Sequence, residues 1–284
     1  MATILSKLST DARNRWNKLL NKDLKKADLN WIKVRALKYS PAGKESTFHL
    51  KGSTIYYKNG AELLHSLKEI FIDEIYKMSF DSTSPYILDC GANIGLSVLY
   101  LTQNHPHATI VAFEPDENNF ALLQKNTHDL NNVTLVKSAV WKENGTIQFA
   151  NTGTLSSKIV NDTDIQTQSI NAIRLRDRLT DPVDFLKLDI EGAEYEVLKD
   201  CADKLYLVKN LFIEYHGHFE NEQQLTEIFD LLTRNSYKYY IREATECYPT
   251  PFFRELRRTD YDVQLNIFCF KTTTGAPQNV QRNI

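Results

Sequence analysis

The sequence predicts an α/β fold with a doubly wound, mostly parallel sheet, and three neighbouring features lead to this prediction. Tyr86–Asp89 is a short apolar run that ends in a carboxylate, as a buried strand does. The turn Cys90–Gly95 then leads into a helical pattern over Leu96–Gln103. A second buried run, Thr109–Phe113, ends at Glu114. Strand, glycine turn, helix, strand and acid make one βαβ unit of such a sheet.

The glycine turn and the acid after it indicate an adenosine-type cofactor site. Gly91 and Gly95 can adopt backbone angles closed to other residues and let a ligand approach the main chain. Ligands of doubly wound sheets bind at the carboxyl ends of the strands, where this turn lies. Glu114 follows the turn by about 20 residues, the spacing at which an acid reaches ribose hydroxyls.

The residues of the turn favour S-adenosylmethionine over a dinucleotide. A dinucleotide fingerprint, G-x-G-x-x-G, holds a pyrophosphate with its backbone amides. This turn has Asp89 before its first glycine and Asn93 in place of the middle glycine. Asp89 would repel a pyrophosphate, but it can accept a hydrogen bond from an ammonium or hydroxyl group. S-adenosylmethionine carries a sulfonium and an ammonium and has no phosphate.

Several blocks along the chain resemble the FkbM family of S-adenosylmethionine-dependent methyltransferases. The blocks are DCGANIGLSVLY, AFEPDENNF, SAVW, DFLKLDIEGAEYEVLKD and LFIEYHGHF, and the resemblance extends roughly from Asn59 to Phe270. It implies a class I methyltransferase (Rossmann-like) fold with a seven-stranded, mostly parallel sheet and an antiparallel last strand. It also implies methyl transfer to oxygen, commonly to a hydroxyl of a sugar or natural product.

The resemblance and the turn together give a set of expected cofactor residues. Asp89, Gly91, Asn93 and Gly95 are expected on the methionine and ribose side, Glu114 at the ribose hydroxyls, and the residues after the third strand beside the adenine. Trp141 either stacks on the base or is a core aromatic residue. The full expected set is Asp89, Gly91, Ala92, Asn93, Gly95, Ser97, Glu114, Pro115, Asn119, Ala139, Val140, Trp141 and Asp189.

A second group of polar residues follows the buried strand at Val183–Leu188. Asp189 and Glu191 are expected at its carboxyl end, beside the methyl donor in this topology. They suit a general base or orienting acceptor for the attacking hydroxyl, or oxygen ligands for Mg²⁺ or Ca²⁺. Alternatively, Glu191 caps the next helix or pairs with Lys187. A divalent metal is thus possible, but no metal ligands are predicted.

A third group comes from the strand in Leu211–Phe219. Glu214 and His216 share one face of that strand and should reach the same rim as Asp189. An imidazole with a pKa near 6.5 suits the role of base towards a hydroxyl near neutral pH. The candidate catalytic set is therefore Asp189, Glu191, Glu214 and His216. His216 is favoured as the base or a substrate-positioning group, with Glu214 and Glu191 in support, and the choice of base among these three stays open.

The 284 residues suit one large domain with an appended piece. We expect an N-terminal helical and hairpin extension over 1–80, a methyltransferase domain over 81–272 and a polar tail over 273–284. In the extension, Val34–Tyr39, Thr47–Leu50 and Thr54–Tyr57 look like strands, and Gly60–Met78 like a helix. Residues 1–32 have the pattern of a basic amphipathic helix. Such a helix would pack on the rest of the protein, on a second subunit or at a membrane surface.

Composition limits the partners and the compartment. The formal charge is −2, so the chain has no excess of basic residues such as a protein that binds nucleic acid usually has. No nucleic-acid partner is therefore expected. Four scattered cysteines and the lack of an apolar span predict a cytoplasmic protein without stable membrane insertion. The expected partner is a small molecule or glycan with a free hydroxyl, and a homodimer is possible.

Other functions fit the sequence less well. An adenine-N6 enzyme would show N-P-P-Y or D-P-P-Y, a cytosine-C5 enzyme a Pro-Cys nucleophile, and neither occurs. Tyr195 and Lys199 match the Tyr-x-x-x-Lys pair of short-chain oxidoreductases, but no dinucleotide turn accompanies them. A non-catalytic S-adenosylmethionine-binding protein is the remaining alternative, and it would not need the clustered carboxylates and histidine.

Overall fold

The structure is a computed structural model that describes residues 23–150, 158–159, 167–254 and 259–271. Most of the predicted N-terminal amphipathic helix and the whole of the predicted polar tail lie outside these residues.

The described residues contain six α-helices and thirteen strands. The helices are α1 (Trp31–Lys38), α2 (Gly60–Leu67), α3 (Leu96–Asn104), α4 (Glu117–Asn126), α5 (Glu194–Asp200) and α6 (Glu222–Arg234). The strands are β1 (Ser46–Leu50), β2 (Ser53–Tyr57), β3 (Tyr86–Cys90), β4 (Thr109–Phe113), β5 (Val133–Val136), β6 (Ala139–Trp141), β7 (Gly145–Ala150), β8 (Lys158–Ile159), β9 (Thr167–Arg174), β10 (Val183–Leu188), β11 (Val208–Gly217), β12 (Lys238–Glu243) and β13 (Val263–Phe270).

The main sheet has seven strands in the order β12-β13-β11-β10-β3-β4-β5. β10 is parallel to both β3 and β11, and β4 is parallel to β5. β13 alone runs against its neighbours, pairing antiparallel with β11 and β12. This confirms the predicted class I methyltransferase fold, with a mostly parallel sheet in which the last strand of the chain, β13, is antiparallel and lies between β11 and the edge strand β12.

The chain divides into two compact units. The first combines the chain up to Ser84 with Ala92–Lys137, and the second combines Pro85–Gly91 with the chain from Ser138 onwards. The predicted boundaries of the extension, the methyltransferase domain and the tail remain predictions.

The first unit contains the predicted hairpin and a shorter helix than expected. β1 and β2 pair antiparallel, from Ser46 opposite Tyr57 to Leu50 opposite Ser53, and their inward residues Phe48, Leu50 and Ile55 are buried. The helix predicted over Gly60–Met78 ends as an α-helix at Leu67 and continues only as one π-helical turn over Lys68–Ile72.

The strand predicted over Val34–Tyr39 is wrong, because these residues belong mainly to α1. The Asn30 side chain caps this helix by accepting a hydrogen bond from the Lys33 backbone amide at 2.9 Å. A capped N-terminus satisfies a backbone donor that would otherwise lack a partner. That local interaction favours the helix over the weak strand propensity of valine, leucine and tyrosine.

The side chain of Asn126, at the end of α4, joins the hairpin to the glycine turn within the first unit. Its Oδ1 accepts from the Tyr56 amide at 2.7 Å, and its Nδ2 donates to the Tyr56 and Ile94 carbonyls at 3.0 and 2.8 Å. Asn126 is buried, so loss of its side chain would leave three part-buried backbone groups without these hydrogen bonds. The N-terminal hairpin therefore supports the turn through one side chain.

Replacing Asn126 with alanine is expected to lower the free energy of unfolding by about 2–4 kcal/mol, since buried backbone groups lose their partners. Urea denaturation followed by circular dichroism measures the change. Asn104→Ala is the matched control, because exposed Asn104 makes one local hydrogen bond, to the Tyr100 carbonyl. Equal effects of the two substitutions would contradict a supporting role for Asn126.

The second unit contributes β3, β10, β11, β13 and β12 to the main sheet and has α5 and α6 beside them. All six residues of β10 are buried, including the charged residues Asp184 and Lys187. A second sheet has the order β6-β9-β7-β8, with β6 parallel to β9 and β7 antiparallel to it. The sequence also predicts strands over Thr146–Ala150 and Ser169–Leu175, which would either extend the main sheet or cover the site. Both segments form strands, and these strands belong to the separate sheet and not to the main one.

Candidate active site

The carboxylate of Glu114 is held in one orientation at the end of β4. Its Oε2 accepts a hydrogen bond from the Asn93 amide at 2.8 Å, and its Oε1 accepts from the Asp116 amide at 2.8 Å. The residue is only 6% exposed. Two backbone amides thus fix a buried anion next to the glycine turn.

Asn93 occupies the centre of the glycine turn in a left-handed conformation, with φ of 51°. Asparagine tolerates this region better than most residues with a side chain. Its Oδ1 is buried and has no hydrogen-bond partner among the described residues. A buried oxygen of this kind costs free energy unless a ligand or water satisfies it.

Lys187 connects two predicted site residues in the second unit. Its Nζ lies 3.3 Å from Asp89 Oδ1 and 3.1 Å from Asp189 Oδ2, and it donates to the Gly91 carbonyl at 2.7 Å. Lys187 is 3% exposed, so the charged form of its side chain is stabilised by these partners and not by water. One buried ammonium therefore sets the ends of β3 and β10 relative to each other.

Gly91 lies where no larger residue fits. Its φ is +87°, and a Cβ atom added there would lie 1.8 Å from the Asp189 carbonyl oxygen. The backbone that follows β3 thus passes directly against the backbone that follows β10.

Gly91→Ala is expected to cost about 3 kcal/mol or more of unfolding free energy, because it adds a backbone clash to an unfavourable φ. Gly43→Ala is the control for φ alone, since Gly43 has φ of +91° and a Cβ atom added there would have nothing within 4 Å. That control should cost about 1 kcal/mol. Thermal and urea unfolding of both variants measure the difference, and equal costs would show that the contact with Asp189 does not matter.

His216 is buried at the carboxyl end of β11 and is surrounded by carboxylates. Its Nδ1 lies 3.2 Å from Glu194 Oε1, and its Nε2 lies 3.6 Å from Glu191 Oε2 and 3.7 Å from Glu214 Oε1. The Glu194 side chain is fully buried and also accepts from the Ile190 and Gly192 amides. Glu194 therefore fixes both the loop after β10 and the imidazole.

The cluster shifts the protonation of its own members. Burial disfavours a charged imidazolium, but the charges of Glu194 and Glu191 outweigh it and hold the pKa of His216 well above 6.5. Burial raises the pKa of Glu191 to about 7, against the opposing charge of His216. The site thus gathers negative charge around one imidazole.

Comparison with known proteins identifies the family of this chain. A family model described as "Methyltransferase FkbM domain" matches residues 89–239, more than half of the chain. The chain belongs to the FkbM methyltransferase family. Its site residues Asp89, Glu114, Asp189, Glu191, Glu194, Glu214 and His216 all lie in the matched segment.

Relatives of this FkbM methyltransferase occur in fungi and bacteria. "Methyltransferase 1" of Beauveria bassiana is 28% identical over 200 residues, covering 58% of this chain and 79% of the relative. The "2-O-methyltransferase NoeI" of Sinorhizobium fredii is 26% identical over 176 residues, covering 54% of this chain and 72% of the relative. A crystal structure of methyltransferase FkbM from Methylobacillus flagellatus has a TM-score of 0.46 at 20% identity, covering 73% of this chain and 54% of that chain.

Membership of the FkbM family implies S-adenosylmethionine as the methyl donor, and the turn fits that molecule. The unpartnered Asn93 Oδ1 can accept from an ammonium or hydroxyl group, and the fixed Glu114 carboxylate can accept from ribose hydroxyls. Neither group would stabilise a pyrophosphate.

The remaining predicted cofactor residues of the FkbM methyltransferase lie on named elements of the two units. Ser97 is buried in the first turn of α3, Pro115 follows Glu114, and the Asn119 amide donates to Asp116 Oδ1 at the start of α4. In the second unit, Ala139 and Val140 are buried in β6, and Trp141 is half-buried with the Lys142 ammonium 5.3 Å from its ring centroid. Their contacts with a cofactor remain predictions.

Three further residues of the FkbM methyltransferase site were not predicted, namely Lys187, Glu194 and Tyr261. The Tyr261 hydroxyl donates to the Glu191 carbonyl at 2.9 Å, and its ring lies 4.8 Å from that of His216. In the sequence, Lys187 is explained as a strand residue on the same face as Asp189, and Glu194 as an acidic residue in the first turn of a helix. Neither position by itself indicates a functional site. No local pattern marks Tyr261.

Within the described residues, no helix is both long enough and apolar enough to cross a membrane.

Proposed function

We propose that this FkbM methyltransferase transfers the methyl group of S-adenosylmethionine to a hydroxyl oxygen of a sugar, glycan or natural product. The observation that carries the proposal is the cluster at the ends of β10 and β11. There Asp189, Glu191 and Glu214 keep 24, 21 and 18% of their side-chain surface exposed, around the buried His216. Exposed carboxylates next to buried supporting groups suit a ligand that presents hydroxyl groups.

The names of two relatives support oxygen as the acceptor. One is called "2-O-methyltransferase NoeI", and another, from Streptomyces tacrolimicus, is called "31-O-demethyl-FK506 methyltransferase FkbM". The second is 36% identical over 77 residues, covering 26% of this chain and 30% of the relative. Both names specify transfer to oxygen, on different molecules, so they support the reaction type rather than one acceptor.

The cofactor would be held mainly by the turn after β3 and the acid after β4. Asn93 would meet the methionine portion and Glu114 the ribose hydroxyls, while Asp89 acts from the end of β3. When bound, S-adenosylmethionine supplies an electrophilic methyl group on a sulfonium. The other proposed contacts are those expected from the sequence, at Gly91, Ala92, Gly95, Ser97, Pro115, Asn119, Ala139, Val140, Trp141 and Asp189.

The acceptor hydroxyl must be aligned with the methyl group and lose its proton as it attacks. Asp189 is engaged by the Lys187 ammonium at 3.1 Å, which suits it to hold position. Glu191 stands on the loop after β10, where Tyr261 binds its carbonyl and Gly192 follows it. We propose Glu191 as the proton acceptor, with Glu214 and His216 orienting the hydroxyl. Alignment alone can supply several kcal/mol of such a barrier.

The first experiment is a calorimetric titration of the purified protein with S-adenosylhomocysteine, with NAD as the control ligand. Binding of S-adenosylhomocysteine alone is expected. Methyl transfer from isotope-labelled S-adenosylmethionine to a panel of sugars and hydroxylated natural products then tests the reaction. Preference for NAD would overturn the cofactor proposal. Binding without transfer to any hydroxylated acceptor would favour a non-catalytic binding protein.

We also propose a cytoplasmic protein without a nucleic-acid partner. All four cysteines are buried and free, as in a reducing compartment. The formal charge of −2 gives no basic excess for a phosphate backbone. A homodimer remains a prediction from the amphipathic N-terminal pattern.

A further inference from the structure

Three atoms with metal-binding chemistry meet at the ends of β10 and β11. Asp189, Glu214 and His216 each place one oxygen or nitrogen so that all three lie within 4.8 Å of one another. Strand pairing produces this meeting, because Leu188 of β10 lies opposite Ile213 of β11. The next residues of the two strands, Asp189 and Glu214, therefore emerge side by side.

Glu194 fixes the orientation of the imidazole. The Glu194 carboxylate lies 3.2 Å from His216 Nδ1 and is itself anchored by the Ile190 and Gly192 amides. With Nδ1 donating to a buried carboxylate, Nε2 faces the exposed carboxylates. A carboxylate behind the imidazole is the usual means by which proteins orient a metal-binding histidine.

The spacing around Nε2 is that of ligands to a common ion and not that of a hydrogen bond. Nε2 lies 3.7 Å from Glu214 Oε1 and 3.6 Å from Glu191 Oε2, and it has no hydrogen bond among the described residues. A hydrogen bond would need about 2.7–3.2 Å. Ligand atoms about 2.1 Å from one ion lie about 3.0–4.2 Å apart. Movement of a few tenths of an ångström would bring all three atoms into that range.

The local charge also favours a cation. Lys187 engages Asp189, and the carboxylates of Glu191, Glu194 and Glu214 all lie within 3.7 Å of the His216 imidazole. Carboxylates that lie close together, one of them fully buried and two of them partly buried, are stabilised by positive charge nearby. A divalent ion at Nε2 would supply it, and its binding would release the proton from that nitrogen to solvent.

We propose that Asp189, Glu214 and His216 bind a divalent transition-metal ion. The site offers one imidazole nitrogen and two carboxylate oxygens. Mg²⁺ and Ca²⁺ typically bind at sites made only of oxygen ligands, so this mixed set favours Mn²⁺ over those two ions. Three protein ligands leave coordination positions for two neighbouring oxygens of an acceptor, so the favoured acceptor is a vicinal diol or a hydroxyl beside a carbonyl. This acceptor class rests on the proposed function, whereas the metal site does not.

A second group of possible ligands, His218, Glu220 and Asp262, lies close by and provides the comparison. The Asp262 carboxylate already accepts from the Phe219 amide and the Tyr248 hydroxyl. His218 is about one-third exposed, and the buried carboxylate beside its Nδ1, that of Asp262 at 3.6 Å, is itself one of the three candidate ligands and not a separate residue behind the imidazole. The proposed site is therefore the one at His216.

Mn²⁺ titration followed by electron paramagnetic resonance tests the site. The wild-type protein should bind one equivalent, and electron spin-echo modulation from ¹⁴N should show one coordinated imidazole. His216→Gln should abolish the ¹⁴N signal and Asp189→Asn should weaken binding, while His218→Gln leaves both unchanged. Glu194→Gln should weaken Mn²⁺ binding about 10- to 100-fold, the usual effect of losing the residue behind a metal-binding histidine.

Failure of this proposal is distinguishable from failure of the proposed function. No Mn²⁺ binding at millimolar concentration, or loss of binding in His218→Gln alone, would overturn the metal site. Circular dichroism of each variant shows whether lost binding reflects unfolding, and Asp189→Asn gives a second test if His216→Gln does not fold. S-adenosylhomocysteine titration of the same wild-type sample tests cofactor binding, on which the proposed function depends, without reference to the metal.

Discussion

Glu191→Gln is expected to lower kcat by about 10²- to 10⁴-fold, the usual contribution of a positioned general base. Glutamine keeps the size of the side chain and the loop around it, but it cannot accept the proton of the attacking hydroxyl. The affinity for S-adenosylhomocysteine should stay within about twofold, because the substitution leaves the turn after β3 and Glu114 unchanged. Labelled methyl transfer and calorimetry measure the two quantities separately.

Glu196→Gln is the matched control for this prediction. Glu196 is in α5, five residues beyond Glu191, and pairs with Lys142 at the surface. Its kcat should remain close to that of the wild type, since exposed pairs contribute little. Near-normal turnover in Glu191→Gln together with a large loss in Glu214→Gln would move the proton acceptor to Glu214. Near-normal turnover in Glu191→Ala and in His216→Ala would exclude the whole cluster from catalysis.

Glu114→Gln is expected to raise the Kd for S-adenosylhomocysteine about 100-fold, or about 2.7 kcal/mol. The Glu114 carboxylate accepts from the Asn93 and Asp116 amides at once. A glutamine would present an NH₂ group to one of these two donors, so one amide would lose its acceptor and the turn would shift. The charge that favours ribose hydroxyls would also be lost.

Glu117→Gln is the matched control, because it makes the same substitution three residues after Glu114. Glu117 is exposed, at the start of α4, and pairs with Lys137. Its Kd should match that of the wild type. If Glu114→Gln binds S-adenosylhomocysteine normally and is as stable as the wild type, Glu114 is not a cofactor residue. If it is destabilised but binds normally when folded, its role is confined to the turn.

The βαβ unit and the general fold were predictable because local sequence determines them. Apolar runs of strand length, glycines that permit positive φ and an acid after the second strand are all readable within 30 residues. The structure confirms the strands at Tyr86–Cys90 and Thr109–Phe113 and the helix between them. The predicted antiparallel last strand is also confirmed, as β13.

The error at Val34–Tyr39 shows where local patterns are insufficient. Its apolar residues fit a strand as well as a helix, and the Asn30 cap decided between them. The strands near 146–150 and 169–175 were recognised, but their sheet was not. Which strands pair depends on partners far along the chain, and a single strand carries little information about them.

The sequence by itself determined the fold class, the glycine turn with Glu114, and four of the residues that gather at the strand ends. Their positions follow from the two-residue period of strands and from the convergence of parallel strand ends. Only the tertiary structure placed Lys187 between Asp89 and Asp189, Glu194 behind His216, and Tyr261 against the Glu191 loop. It also brought ligand atoms of Asp189, Glu214 and His216 within 4.8 Å of one another. The sequence predicted that these residues reach the same rim, but it did not predict them as metal ligands. Sheet register brings these side chains together across long sequence separations, and no local periodicity records that register.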